Sequence, residues 1–207
     1  MRRQHLVVMV KEPQAGRVKT RLAAQIGTVE ALRSYRVLLE HTVRRLASDP
    51  RWVTWLAVTP DSAAPRVAAW GRTMGPVAVT GQGPGGLGRR MQRLMDRLPR
   101  GPVVIVGSDI PGIGRHDIAA AFRALGSGAA VFGPAADGGY WLVGQRRTPR
   151  PLRLFDAVRW SSEHTLTDTL ANVTGRKISL LRTMCDVDSK ADYEHWRRED
   201  RLRIRFI

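Results

Sequence analysis

Cysteine is nearly missing from this chain: Cys185 is the one thiol in 207 residues. That excludes an internal disulfide and any zinc site built from several cysteines, and Cys185 reads as a small, half-buried hydrophobe. Lysine is almost as scarce, with 4 residues against 30 arginines spread along the whole chain. Aromatic residues make up only 6%, and none is interleaved with basic residues as a stacking platform for bases requires. The net charge of +16 therefore reads as an arginine-rich composition, not as a nucleic-acid-binding face, and no specific nucleic-acid partner is expected. A salt-sensitive pull on polyanions remains. No apolar run approaches the ~20 residues of a membrane span. Met1-Arg2-Arg3 leads into a short apolar run and then Lys11-Glu12 without a cleavage pattern, which is not a secretory leader. A cytoplasmic protein is expected. The five histidines show no metal-ligand spacing, and Ser161-Ser162-Glu163-His164 reads as a helix start, not as a nucleophilic triad.

What is present is concentrated in the stretch from Lys11 to Leu22. It follows the apolar run Leu6–Val10, a buried first strand. Pro13 and Gly16 break regular structure there, and Lys11, Arg17, Lys19 and Arg21 crowd one strand exit. Such crowding costs self-repulsion, so the loop reads as a holder of anionic oxygens. Backbone N–H groups freed by glycine, together with the next helix's N-terminus, would add to it. The alternative is a solvated basic loop. No P-loop signature occurs.

Beyond the loop, Thr28 is placed to cap a helix through Ser48. Val29, Leu32, Tyr35, Leu38, Leu39, Thr42, Val43 and Leu46 mark its apolar face. Trp52–Val58 reads as a second strand, Asp61–Gly71 as a short helix and Val77–Val79 as a third strand. Trp52, Trp55 and Trp70 are assigned to packing. A glycine-dense loop, Gly81–Gly88, leads into a helix from Arg89 to Leu98; its glycines either admit a ligand or make a flexible lid. Val103–Val106 is the most strand-like run and delivers Gly107-Ser108-Asp109-Ile110-Pro111. A helix from about Arg115 to Leu125 follows, then strands Ala129–Phe132 and Tyr140–Val143. Ser161 or Ser162 would cap a helix through Asn172, and Ile178–Leu181 forms a last strand. A polar closing helix carries Tyr193 and Trp196 on its apolar side. Strand–helix alternation predicts right-handed βαβ units and a mostly parallel sheet, with antiparallel additions at one edge. No linker or internal repeat is visible, so residues 1–207 read as a single domain.

Ligands of open parallel sheets lie outside the carboxyl ends of the strands. The cationic loop after the first strand and Asp109 after the fourth both occupy such ends and can face one crevice. A phosphate-holding loop beside a carboxylate that holds Mg²⁺ is what nucleotide chemistry requires. Asp109 has an alternative as a turn or capping residue. Asp137, in an Asp-Gly-Gly stretch between strands, has one as an ordinary hairpin turn. Asp186 and Asp188 alternate along a strand end and can share a face. Equally, Asp188 or Ser189 can cap the last helix, with Asp192 in its first turn.

Together, Lys-x-Pro-x-x-Gly-x-Val-Lys-Thr-Arg-Leu, Gly-Ser-Asp-Ile-Pro, Gly-Pro-Ala-x-Asp-Gly-Gly-Tyr and Asp-Val-Asp-Ser resemble the bacterial DUF2064 family. That family is described as nucleotide-diphospho-sugar transferases of the GT-A fold, and the likeness runs from about residue 5 to 193. More distantly the chain is similar to 2-phospho-lactate guanylyltransferase and molybdenum-cofactor guanylyltransferase. The resemblance implies a three-layer αβα fold and a Mg²⁺- or Mn²⁺-dependent transferase acting on a nucleotide sugar or an NTP and a small-molecule acceptor. It places nucleotide at Lys11, Gly16, Arg17, Lys19, Thr20, Arg21, Gly86 and Gly88, and metal at Asp109 and Asp188. Lys19, Asp109 and Asp137 would be catalytic, with acceptor at Asp137, Gly138, Gly139 and Tyr140. One departure stands out: where the family commonly has Asp-Leu-Gly-Glu-Arg-Met, this chain has Gly86-Leu87-Gly88-Arg89-Arg90-Met91. Glycosyl transfer is the leading expectation. Nucleotidyl transfer to a phosphorylated acceptor and a degenerate nucleotide-binding module are the alternatives.

Overall fold

The computed structural model describes residues 3–204; Met1 and Arg2, on which the leader reading rests, lie outside them. Seven strands form one sheet: β1 (Gln4–Lys11), β2 (Trp52–Thr59), β3 (Val77–Gly81), β4 (Val103–Val106), β5 (Ala130–Pro134), β6 (Tyr140–Gln145) and β7 (Ile178–Leu180). Their spatial order is β3-β2-β1-β4-β6-β5-β7. Every pairing is parallel except the two that β6 makes, with β4 and with β5. The antiparallel strand therefore lies inside the sheet, not at an edge as the sequence predicts. Trp141-Leu142-Val143 are buried at successive positions, so both faces need cover, and an interior place supplies it.

The helices are α1 (Thr20–Ile26), α2 (Thr28–Ala47), α3 (Ala64–Gly71), α4 (Leu87–Arg97), α5 (Arg115–Ser127), α6 (Thr165–Ala171) and α7 (Lys190–Ile204). Strand alternation divides the core. Leu6, Val8 and Val10 pack with α2, α3 and α5 on one face, while Val7 packs with α4 and the 154–173 region on the other. Leu22, Leu38, Val187, Tyr193 and Trp196 join α1, α2 and α7 in a third cluster. This is the expected three-layer arrangement. Among the described residues no helix is long and apolar enough to cross a membrane.

Several local expectations shift. Gly27, not Thr28, precedes α2 as its cap, and Val29 is 79% exposed, so the apolar stripe starts a turn later at Leu32. The Asp61–Gly71 segment splits into a 3-10 turn (Asp61–Ala63) and α3. The helix ending before Asn172 begins only at Thr165. Ser162 shapes the turn before it, its Oγ accepting the His164 N–H at 3.3 Å, but it caps no helix. Cys185 is exposed, because residues 185–188 form a loop and not a strand end. The tryptophans do pack: the Trp52 indole N–H donates to the Leu46 carbonyl at 3.0 Å, and Trp70 lies against the core.

Candidate active site

β1 and β4 run side by side in parallel, His5 to Val8 against Val103 to Val106, so the loops that follow them leave from one rim. The first loop is anchored by Tyr35 of α2. Its hydroxyl accepts the Lys11 N–H at 3.0 Å and donates to the Lys11 carbonyl at 2.9 Å. Gly16 turns the loop with φ +71, and Lys19 enters α1 from the left-handed region with φ 47 and ψ 47. That conformation delivers the Lys19 ammonium, 5% exposed, between two carboxylates: Nζ lies 2.6 Å from Asp109 Oδ2 and 2.7 Å from Asp188 Oδ1. Burial works against the ammonium, but the two carboxylates outweigh it and raise its pKa.

Asp188 is free for this role because Ser189 does the capping. The Ser189 N–H and Oγ donate to Asp192 Oδ2 at 2.8 and 2.6 Å, and the Asp192 N–H donates back to Ser189 Oγ at 3.2 Å. The Val187 N–H donates to the Asp109 carbonyl at 3.4 Å, which brings the two loops together. Asp186 completes the group: one oxygen from each of Asp109, Asp186 and Asp188 lies within 4.8 Å of the others. Burial, then the negative charges of Asp188 and Asp109, push the Asp186 carboxyl up to about 6. Three carboxylates, two of them on one buried ammonium, leave an excess of negative charge on oxygen donors. A hard divalent cation such as Mg²⁺ or Mn²⁺ suits that donor set.

Facing this group is a cleft of about 460 Å³ walled by Lys11, Arg17, Thr20 and Arg21 on one side. Arg21 Nη1 is 4.0 Å from Asp188 Oδ2. The opposite wall holds residues that the sequence reading did not single out. Gln82 is buried, its amide donating to the Val10 and Ala57 carbonyls at 3.2 and 2.8 Å and its Oε1 accepting from Arg90 at 3.4 Å. Arg90 also donates to Thr59 Oγ1 at 3.1 Å and to the Gly85 carbonyl at 2.6 Å. The one sequence signal for Gln82 is a polar side chain among glycines directly after a strand. Asp186 was visible, but only as a partner of Asp188.

The glycine loop behaves differently from expectation. Leu87 and Arg90 reach the cleft, whereas Gly86 and Gly88 do not line it. Gly88 lies inside α4, where a Cβ would stand 2.7 Å from Trp160 Cζ2, so its bareness serves packing. Asp137, Gly139 and Tyr140 line a second cavity, of about 290 Å³, which shares Asp109 with the cleft. Asp137 Oδ1 also accepts the Gly139 N–H at 2.9 Å, so it shapes its own turn. Gly138 does not line that cavity; at φ +84, its Cβ would fall 2.3 Å from the Glu163 carbonyl oxygen.

The model of a family described as "Uncharacterized protein conserved in bacteria (DUF2064)" matches residues 42–162. Comparison with curated protein sequences finds no match. Among solved structures, a provisionally named nucleotide-diphospho-sugar transferase from Desulfovibrio desulfuricans G20 superposes with a TM-score of 0.81 at 29% identity, over 91% of this chain and 84% of that one. The 4-diphosphocytidyl-2C-methyl-D-erythritol synthase of Anaerococcus prevotii DSM 20548 gives 0.64 at 9% identity, over 94% of each chain. Glucosyl-3-phosphoglycerate synthase from Mycobacterium tuberculosis, in complex with Mn²⁺, UDP and glucosyl-3-phosphoglycerate, gives 0.57 at 11% identity, over 94% of this chain and 75% of that one. The last two likenesses concern the fold alone, which is of the GT-A type found in nucleotide-diphospho-sugar transferases.

Proposed function

The chain belongs to the DUF2064 family, and on that premise we propose that it is a single-domain, divalent-metal-dependent transferase moving a glycosyl group from a nucleotide sugar to a small acceptor. The observation that carries this reading is the convergence of Asp109, Asp186 and Asp188 within 4.8 Å, around Lys19 and against a cationic cleft. In this reading Lys11, Arg17, Arg21 and Arg90 hold the nucleotide phosphates by charge-assisted hydrogen bonds. Asp109 and Asp188, with Asp186, would hold Mg²⁺ or Mn²⁺, which offsets charge on the departing nucleoside diphosphate. Lys19 fixes the two carboxylates relative to each other and extends positive charge toward the phosphates. Asp137 and Tyr140 face the acceptor.

A specific observation also favours nucleotidyl transfer: five cations in one cleft suit a triphosphate better than a diphosphate. It ranks second because the neighbouring cavity offers, among the described residues that line it, no cation to a phosphorylated acceptor. A degenerate binding module ranks third, since the altered stretch Gly86–Met91 leaves the carboxylate group intact.

A thermal-shift screen of nucleotide sugars and NTPs, with and without Mg²⁺ or Mn²⁺, tests the reading. A nucleotide sugar should raise Tm only with the divalent ion, by an amount that grows with ligand excess over Kd. Asp109→Asn should remove that dependence. Absence of any nucleotide response would end the proposal, and a response to NTPs alone would promote nucleotidyl transfer.

A further inference from the structure

The second cavity differs in kind from the cleft beside it. Its walls are Trp160, Tyr140, Met91, Ile105 and Val143, with apolar surface predominating. Among the described residues that line it there is no arginine, lysine or histidine. In a chain with 30 arginines and a net charge of +16, that is a local exception. Its acidic side chains are instead the carboxylates of Asp109, Asp137 and Asp186, beside the Tyr140 phenol. Arg159, adjacent to Trp160 in sequence, is held elsewhere: its Nε and Nη2 donate to the two oxygens of Asp168 at 2.9 and 2.8 Å.

Asp109 is already paired with Lys19 at 2.6 Å, but an anionic group entering this cavity would lose water and meet Asp137 with no cation among the described lining residues to receive it, whereas an apolar body gains from burial. Ser161 adds a hydroxyl at the side, suited to orienting an uncharged hydroxyl group, while those of Ser162 and Thr165 donate to the Arg159 carbonyl at 2.8 and 2.9 Å. Resting on the transferase reading above, we propose that the acceptor is an uncharged alcohol or phenol carried on an apolar body, and that phosphorylated acceptors are excluded. In the transfer, the acceptor oxygen bonds to the anomeric carbon. The bond from that carbon to the nucleotide's phosphate oxygen breaks, its electron pair leaving on the nucleoside diphosphate, and the hydroxyl proton passes to a carboxylate of the cavity.

A matched pair of probes tests this with the full chain: 2-naphthol and 2-naphthyl phosphate. Calorimetry should show 2-naphthol binding with a submillimolar Kd, weakened at least fivefold in Trp160→Ala and close to unchanged in Trp160→Phe. Because the phosphate ester can also enter the cationic cleft, its arm is displacement: a tenfold excess of 2-naphthyl phosphate should leave bound 2-naphthol in place. Displacement at equal concentration overturns the proposal, as does absence of naphthol binding up to millimolar concentration or binding indifferent to both Trp160 variants. The nucleotide-dependent thermal shift, measured on the same preparations, reports separately. A nucleotide response without naphthol binding sinks the acceptor class alone, and naphthol binding without a nucleotide response sinks the transferase reading.

Discussion

Lys19 holds Asp109 and Asp188 together from a backbone conformation that few residues other than glycine adopt, at φ 47 and ψ 47. The strain persists because the two charge-assisted bonds at its tip outweigh it. Lys19→Met should therefore lower stability in chelator by about 1–3 kcal/mol, less than the 3–5 of a fully buried pair because Asp109 and Asp188 keep 27% and 44% of their exposure. Mn²⁺ should restore more Tm in this variant than in the parent, and an equal Mn²⁺ response in both would show that Lys19 does not share the ion's place. At the far end of β1, His5 is 2% exposed, and its Nδ1 accepts the Trp55 indole N–H at 3.2 Å. Burial, then Arg147, lowers its pKa. Its contribution is thus whole above the unfolded value near 6.5 and is lost as pH falls toward the folded one. Urea midpoints should drop as pH falls below ~6.5, and His5→Gln should flatten that slope. Residues of this kind were unequally legible in the sequence. Lys19 and Asp109 stood out because charge at a strand exit has few structural uses. Asp188 read as readily as a helix cap and owed its metal role to the family resemblance, and Tyr35 and Gln82 looked like core and loop filler. Their role is to satisfy backbone groups at strand ends, which only the assembled sheet reveals.

Helices and strands with a strong period were legible, and their ends were not. β4 matches its expected span, since four successive apolar residues between breakers leave little choice. β6 was found but misplaced, because sequence order alone does not say which strand a hairpin partner joins next. The Gly81–Gly88 stretch reads in the sequence as either a ligand approach or a flexible lid, with Gly86 and Gly88 given to the nucleotide by the family resemblance, whereas Gly88 answers to the ring of Trp160 on another segment. The start of α7 was the ambiguity that mattered most, since it decided whether Asp188 capped a helix or faced the site. Ser189 takes the cap, and so the element bears on the chemistry. Ser189→Ala should cost about 0.5–2 kcal/mol, as loss of an N-cap does. It should also slacken the 186–188 loop and weaken Mn²⁺ binding by calorimetry, whereas Ser189→Asp should keep both. Stability loss with unchanged Mn²⁺ affinity would separate the cap from the site.

At the scale of the molecule, a net charge of +16 remains to be accounted for. Some of the arginines are engaged in local pairs, although pairing leaves the net charge itself unchanged. Arg51, Arg66, Arg159 and Arg182 are paired with Asp49, Glu12, Asp168 and Asp117 at 2.6 to 2.9 Å. Arg147 is turned inward onto the carbonyls of Met95, Leu98 and Gly101. Trp52 and Trp196 are buried, so those rings offer no platform on which bases can stack. What is left is a diffuse field without a reading element, and a diffuse field attracts any polyanion alike. Binding to a generic DNA duplex should accordingly be weak, with a Kd of roughly 10⁻⁴–10⁻⁶ M at physiological salt, and log K should fall linearly as log salt rises. Scrambling the duplex sequence should change nothing. The cationic cleft should respond less steeply to salt, because a bound nucleotide replaces few counterions and its contacts are partly shielded from solvent. Fluorescence anisotropy of a labelled duplex across a salt series, run beside nucleotide binding in the same buffers, measures both slopes. A nanomolar, sequence-dependent complex that survives physiological salt would mean the surface charge is organised after all, and that the arginines left unpaired form a face.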